Sequence, residues 1–123
     1  MTYELALALK NAGFPQQGDY CYVAVDTKGD WTYEKRYIGN IHSALLRRVN
    51  IAAYTPTLEE LISACGREQT FSEETHYFSL ETDSENWWAG YVDNVKSELF
   101  AVRQKGSTPT IAVANLWLAL NKK

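Results

Sequence analysis

Two histidines, His42 and His76, are the side chains of this 123-residue chain most suited to moving protons near neutral pH, and neither belongs to a recognisable set. No His-Glu-x-x-His pair is present for a metal, no Gly-x-Ser-x-Gly elbow for a nucleophile, and no glycine-rich loop for a phosphate. The acids Glu81, Asp83 and Glu85 in "ETDSENWW" alternate like the opening of a calcium loop. Such a loop needs glycine at its sixth position and a bidentate glutamate at its twelfth, where this chain has Asn86 and Val92, so the run reads as a solvated turn. Asp26 and Asp30 flank "DTKGD", where opening and closing a turn is role enough. Cys21 and Cys65 lie far apart without a Cys-x-x-Cys pattern, which reads as two buried, reduced thiols. These residues point to a chain with no catalytic centre, no cofactor and no metal.

Composition narrows the partners. Fifteen acids and twelve bases give a net charge of −3, and like charges never run beyond two or three residues, which argues against a nucleic-acid footprint. With 46% hydrophobic residues the chain has enough apolar material for one core, so residues 1–123 read as a single domain. The start "MTYELALALKNAG" has no basic leader and carries Glu4 and Lys10 inside its apolar stretch, unlike a signal peptide. The longest apolar run, residues 111–120, falls far short of the ~20 residues that span a bilayer. The expectation is a cytoplasmic protein without a membrane partner.

The aromatic residues are the better candidates for function. Residues 20–25 ("YCYVAV") and 31–39 ("WTYEKRYIG") read as a hairpin closed near Gly29, with Trp31, Tyr33 and Tyr37 on one side of the second strand. Residues 75–81, 86–92 and 97–104 read as an antiparallel meander. Within it Trp87 and Trp88 are neighbours and must face opposite ways, with Tyr91 alongside Trp87. Exposed Trp and Tyr make good anchors for a protein partner and can also stack on a small ligand or a single-stranded nucleic acid.

Three helices complete the pattern. Thr2 caps the first, whose apolar positions Leu5, Ala6, Leu9 and Ala12 lead to Gly13. The other two begin at the repeated tripeptide "TPT", in which Thr offers an oxygen to free N–H groups and Pro presets φ, so the repeat is helix punctuation. In residues 55–66 Thr57 and Glu60 form a capping box ahead of the apolar face Leu58, Leu61, Ile62 and Cys65. The last helix places Val113, Leu116, Trp117 and Leu120 on one side, with Ile111, Ala114 and Leu118 extending it. An arc that wide suits a helix packed centrally against sheet and helix, and part of it, through Ile111, Trp117 and Leu118, also suits a subunit interface. Residues 40–54 fit helix or strand equally.

Three segments carry a resemblance: "YTPTLEELISACG", the strand "WWAGY" and the ending "STPTIAVANLWLALNKK". Together they resemble a group of small phage- and prophage-encoded proteins without an assigned activity. The likeness covers residues from Tyr54 onward, about half the chain, and Thr110 and Ile111 stand where that group has acids. A looser likeness of topology and capping is to antitoxin domains of the HicB type. The resemblance implies a mobile-element context inside a bacterial host cell, and no catalytic residues. The combined expectation is an α+β protein, an antiparallel sheet of about five strands and three helices with the last helix central. It would bind protein without catalysing a reaction, with a second copy of itself as a candidate partner; a ligand- or nucleic-acid-binding module is the alternative.

Overall fold

A computed structural model of the chain describes residues 1–16, 18, 20–27, 29–37, 51–71, 74–92 and 101–121. The fold is α+β: the described residues form three helices and seven strands, and the strands make two antiparallel sheets. They group into two compact units, Met1–Pro56 and Thr57–Lys123.

In the first unit, helix α1 (Tyr3–Asn11) begins where the Thr2 side-chain oxygen accepts the Leu5 N–H at 3.2 Å, and ends before Gly13 at φ 95°. Strands β1 (Tyr20–Thr27) and β2 (Asp30–Tyr37) pair in register from Tyr20 opposite Tyr37 to Thr27 opposite Asp30. The turn is therefore tighter than "DTKGD" implied: Asp26 and Asp30 lie in the strands, and Gly29 supplies the positive φ of 92°. Strand β3 (Ile51–Tyr54) joins the other edge of β1, giving the order β2-β1-β3. Helix α1 packs on β3, and the Lys10 ammonium donates to the Ala52 carbonyl at 2.8 Å. Ala6, Leu9, Phe14, Cys21, Val23 and Ala53 are buried. Of the ambiguous segment, Leu45 and Val49 lie outside the described residues, while Ala52 belongs to β3.

In the second unit, helix α2 (Leu58–Cys65) carries the expected capping box. Thr57 Oγ1 accepts the Glu60 N–H at 3.2 Å, and Glu60 Oε1 accepts the Thr57 N–H at 2.9 Å. Four strands follow as a meander, β4 (Glu68–Phe71), β5 (Glu74–Thr82), β6 (Trp87–Val92) and β7 (Ala101–Gly106), in the sheet order β4-β5-β6-β7. Helix α3 (Pro109–Leu120) starts from Thr108, whose Oγ1 accepts the Ile111 N–H at 3.2 Å, and packs against β6, β7 and α2. It is the central helix of this unit, with Ala112, Val113, Ala114, Leu116 and Trp117 buried. The turn into it is so tight that a Cβ on Gly106 would stand 2.4 Å from the Ala112 nitrogen. The Asn115 side-chain amide donates to the Lys105 carbonyl at 3.0 Å, tying helix to strand a second time.

The strand count and the division into two sheets differ from the expected single sheet of about five. The additions are β3, an "IAAY" segment with no polar alternation, and β4, "EQTF", with one large apolar residue. Neither carries the period-2 pattern that betrays a strand; both are held by ladder bonds to longer neighbours.

Candidate functional site

The candidates separate by where alternation along each strand points them. On β1 and β2, Tyr20 stands opposite Tyr37, Tyr22 opposite Lys35, and Ala24 opposite Tyr33, so these side chains share one face of the first sheet. The Tyr20 and Tyr37 rings meet with centroids 5.1 Å apart, and the Lys35 ammonium lies 5.6 Å from the Tyr20 centroid. Tyr3 of α1 stacks on Tyr33 at 4.0 Å with planes 10° apart, and meets Tyr22 edge-on at 5.5 Å. The Tyr22 hydroxyl donates to the Met1 carbonyl at 2.7 Å. Burial, and then the hydrogen bond with Tyr33, pushes the Tyr3 phenol above its ordinary range. Tyr20, Tyr33 and Tyr37 remain 38%, 44% and 67% exposed, and among the described residues these are the exposed large hydrophobic side chains. Trp31 is placed in β2 opposite Asp26, and its side chain lies outside the description.

On β6 the two tryptophans do face opposite ways. Trp87 shares a side with Ala89 and Tyr91, and that is the side α3 covers. Tyr91 is fully buried there, so the expectation that it belongs to a surface is corrected. Its ring meets Phe71 and Phe78, and its hydroxyl lies 2.8 Å from the carbonyls of both Cys65 and Gly66. It reaches the last turn of α2, where carbonyls lack helical partners, and so serves as a buried cap. Trp117 is likewise interior at 7% exposure, while Ile111 and Leu118 are half-buried. The broad arc of the last helix is thus largely used within its own unit.

Trp88 projects from the other side of the sheet. Its indole N–H donates to Asp83 Oδ2 at 2.8 Å, and Asp83 Oδ1 accepts the N–H groups of Asn86 at 2.8 Å and Glu85 at 3.0 Å. These donors, that of Asn86 foremost, hold the exposed carboxyl down at about 2. The carboxylate that resembled a calcium ligand is spent on shaping the hairpin tip, where Ser84 takes a φ of 79°. Across the ring lies the Arg103 guanidinium, 3.9 Å from the centroid.

Among the described residues, the histidine and the two cysteines outside these surfaces are not brought together. His76 is buried, its Nδ1 3.1 Å from the Glu74 carbonyl and its ring edge-on to Phe71; His42 lies outside the described residues. Cys21 and Cys65 are free, buried thiols, and desolvation pushes Cys65 up to about 12. Among the described residues no group of three His, Cys, Asp or Glu is placed to hold a metal, and no helix is long and apolar enough to cross a membrane.

Sequence reasoning named Tyr33, Tyr37 and Trp88 but passed over Tyr3, Tyr20, Tyr22 and Arg103. The signal for two of these was present, since Tyr20 and Tyr22 alternate in "YCYVAV" and the pairing of Thr27 with Asp30 sets Tyr20 opposite Tyr37. Comparison of the chain with family models, with curated proteins and with solved structures returns no match.

Proposed function

We propose that this chain is a non-enzymatic accessory protein of phage or prophage origin, working in the host cytoplasm by binding protein, with a second copy of itself as one partner. The observation that carries the reading is the clustering of Tyr20, Tyr33 and Tyr37, all exposed, on one face of the first sheet. Tyrosine offers a large apolar contact at low entropic cost and a hydroxyl that stays satisfied when wet, which suits a surface that is alternately free and covered. At ~200–250 Å² for a whole tyrosine side chain, the exposed parts of these three sum to roughly 350 Å². That is about half of what one side of a standard interface buries, and it fits a transient contact or the anchor of a larger one.

Lys35 amid the tyrosines is what a stacking platform for single-stranded nucleic acid would also use, so the test must separate the two. Light scattering over a range of concentrations should give a mass rising toward twice the chain's 14.0 kDa. Tyrosine and tryptophan fluorescence should stay unchanged on titration with single-stranded oligonucleotides and with oligosaccharides. Quenching by an oligonucleotide, lost in a Tyr33→Ser/Tyr37→Ser variant, would replace the protein-binding reading with the nucleic-acid one.

A further inference from the structure

Strands β5, β6 and β7 carry, on the side away from α3, exposed charge on both flanks of Trp88, whose indole N–H holds the Asp83 carboxylate. Glu81 and Lys105 both stand directly opposite Trp88, one on each neighbouring strand. With strands about 4.8 Å apart, the carboxylate and ammonium rows are separated by about 10 Å with the indole midway. Arg103 adds a second cation on the basic flank, lying on the Trp88 ring. Among the described residues the side chains of Glu81 and Lys105 have no partner, and Arg103 has that ring alone. The indole N–H is held by the Asp83 carboxylate at 2.8 Å.

This face is acidic on one flank, basic on the other and aromatic between. An acidic partner would leave Glu81 against like charge, and a basic one would do the same to Arg103 and Lys105. What matches is a surface with the same three parts in reversed order, and the same face supplies it when turned over. We propose that a second copy of the chain docks on this face about a twofold axis running along β6. Rotation about that direction exchanges the flanks, so each copy's Glu81 meets the Lys105 and Arg103 of its partner, and the two indoles meet near the axis. An axis across the strands would instead set acid on acid and base on base. The contact is isologous, so every acid–base pairing occurs twice and the assembly closes at two copies.

The inference rests on the self-association proposed above and places it on this face of the second sheet rather than on the tyrosine face. The experiment is light scattering on four samples, the unaltered chain, two variants and the mixture of the two, with circular dichroism to confirm that each is folded. Glu81→Lys makes the face basic on both flanks, and Arg103→Glu/Lys105→Glu makes it acidic on both. Each variant alone should dimerise roughly tenfold more weakly or worse, as expected when close charge pairs across an interface are reversed. Mixed one to one, the two variants should recover a mass of two chains, because every contact between unlike variants is again acid to base. Variants that dimerise as well as the unaltered chain, or a mixture that stays monomeric, overturn the docking face while leaving self-association standing. An unaltered chain that is monomeric at every concentration overturns both, and leaves the tyrosine face to a foreign partner.

Discussion

The phenolic oxygen of Tyr91 lies 2.8 Å from the carbonyl oxygen of Gly66, across 25 residues of sequence. The hydroxyl has one proton and two carbonyls to serve, those of Cys65 and Gly66, and Gln69 Nε2 also donates to the Cys65 carbonyl at 2.6 Å. Tyr91→Phe keeps the ring packing against Phe71 and Phe78 but leaves the Gly66 carbonyl without this donor. Loss of one buried hydrogen bond of this kind is worth about 1–2 kcal/mol. Urea denaturation should show that loss with an unchanged slope, and a variant as stable as the parent would show that the hydroxyl caps nothing.

The same neighbourhood predicts an alkaline weakness. Cys65 ionises at about 12 in the fold against an ordinary 9.0, mainly through desolvation, and Tyr91 at about 12 against 10.0, again through desolvation first. Raised values mean that the unfolded chain releases these protons earlier than the folded one. Stability is therefore intact below about pH 9 and falls as pH climbs from there toward 12. Unfolding followed from pH 8 to 11 should show the decline, and Cys65→Ala should flatten its earlier part.

Acid acts on the hairpin tip. The Asp83 carboxyl sits at about 2 where an ordinary one sits at 3.8, so the stabilisation it gives is complete above about pH 4 and is lost as pH falls through 2. The Asp83 carboxyl resonance should titrate with a midpoint near 2, and the Trp88 indole N–H should shift with it. A midpoint near 4 would mean that the three hydrogen bonds are not held in solution.

Gly106 is predicted to tolerate no side chain. A Cβ there would meet the backbone nitrogen of Ala112 at 2.4 Å and the Ile111 carbonyl carbon at 2.8 Å, and backbone cannot rotate aside. Gly106→Ala should cost about 1–3 kcal/mol as β7 and α3 are pushed apart. Gly29→Ala, with open space around its Cβ but a φ of 92°, should cost about 1 kcal/mol from backbone strain alone. Thermal melts of the two variants should rank them in that order.

How far these features can be read without coordinates depends on whether their cause is local. The helix starts were readable because Thr2, Thr57 and Thr108 each act within three residues, and all three oxygens bond where expected. The meander was readable from its turns. Strands β3 and β4 were not, since "IAAY" and "EQTF" become strands through partners elsewhere in the chain. The surface residues divide the same way: alternation correctly set Trp87 and Trp88 apart, but which side α3 would cover is a long-range outcome. That is why Tyr91, placed correctly beside Trp87, was expected on the wrong side of the protein boundary.

Asn115 bears on a different property. Asp83 N–H bonds to the Asn86 carbonyl, so in the regular ladder that follows, the polar backbone groups of Trp88 turn toward β5. Those of Lys105, opposite Trp88, then turn outward from the sheet. The carbonyl so exposed is the one that Asn115 takes. A strand arriving from another molecule would have to displace that amide and lie beside the charged Lys105 and Arg103. At this point of the β7 margin the sheet is thereby less open to the addition of a strand from a neighbouring molecule.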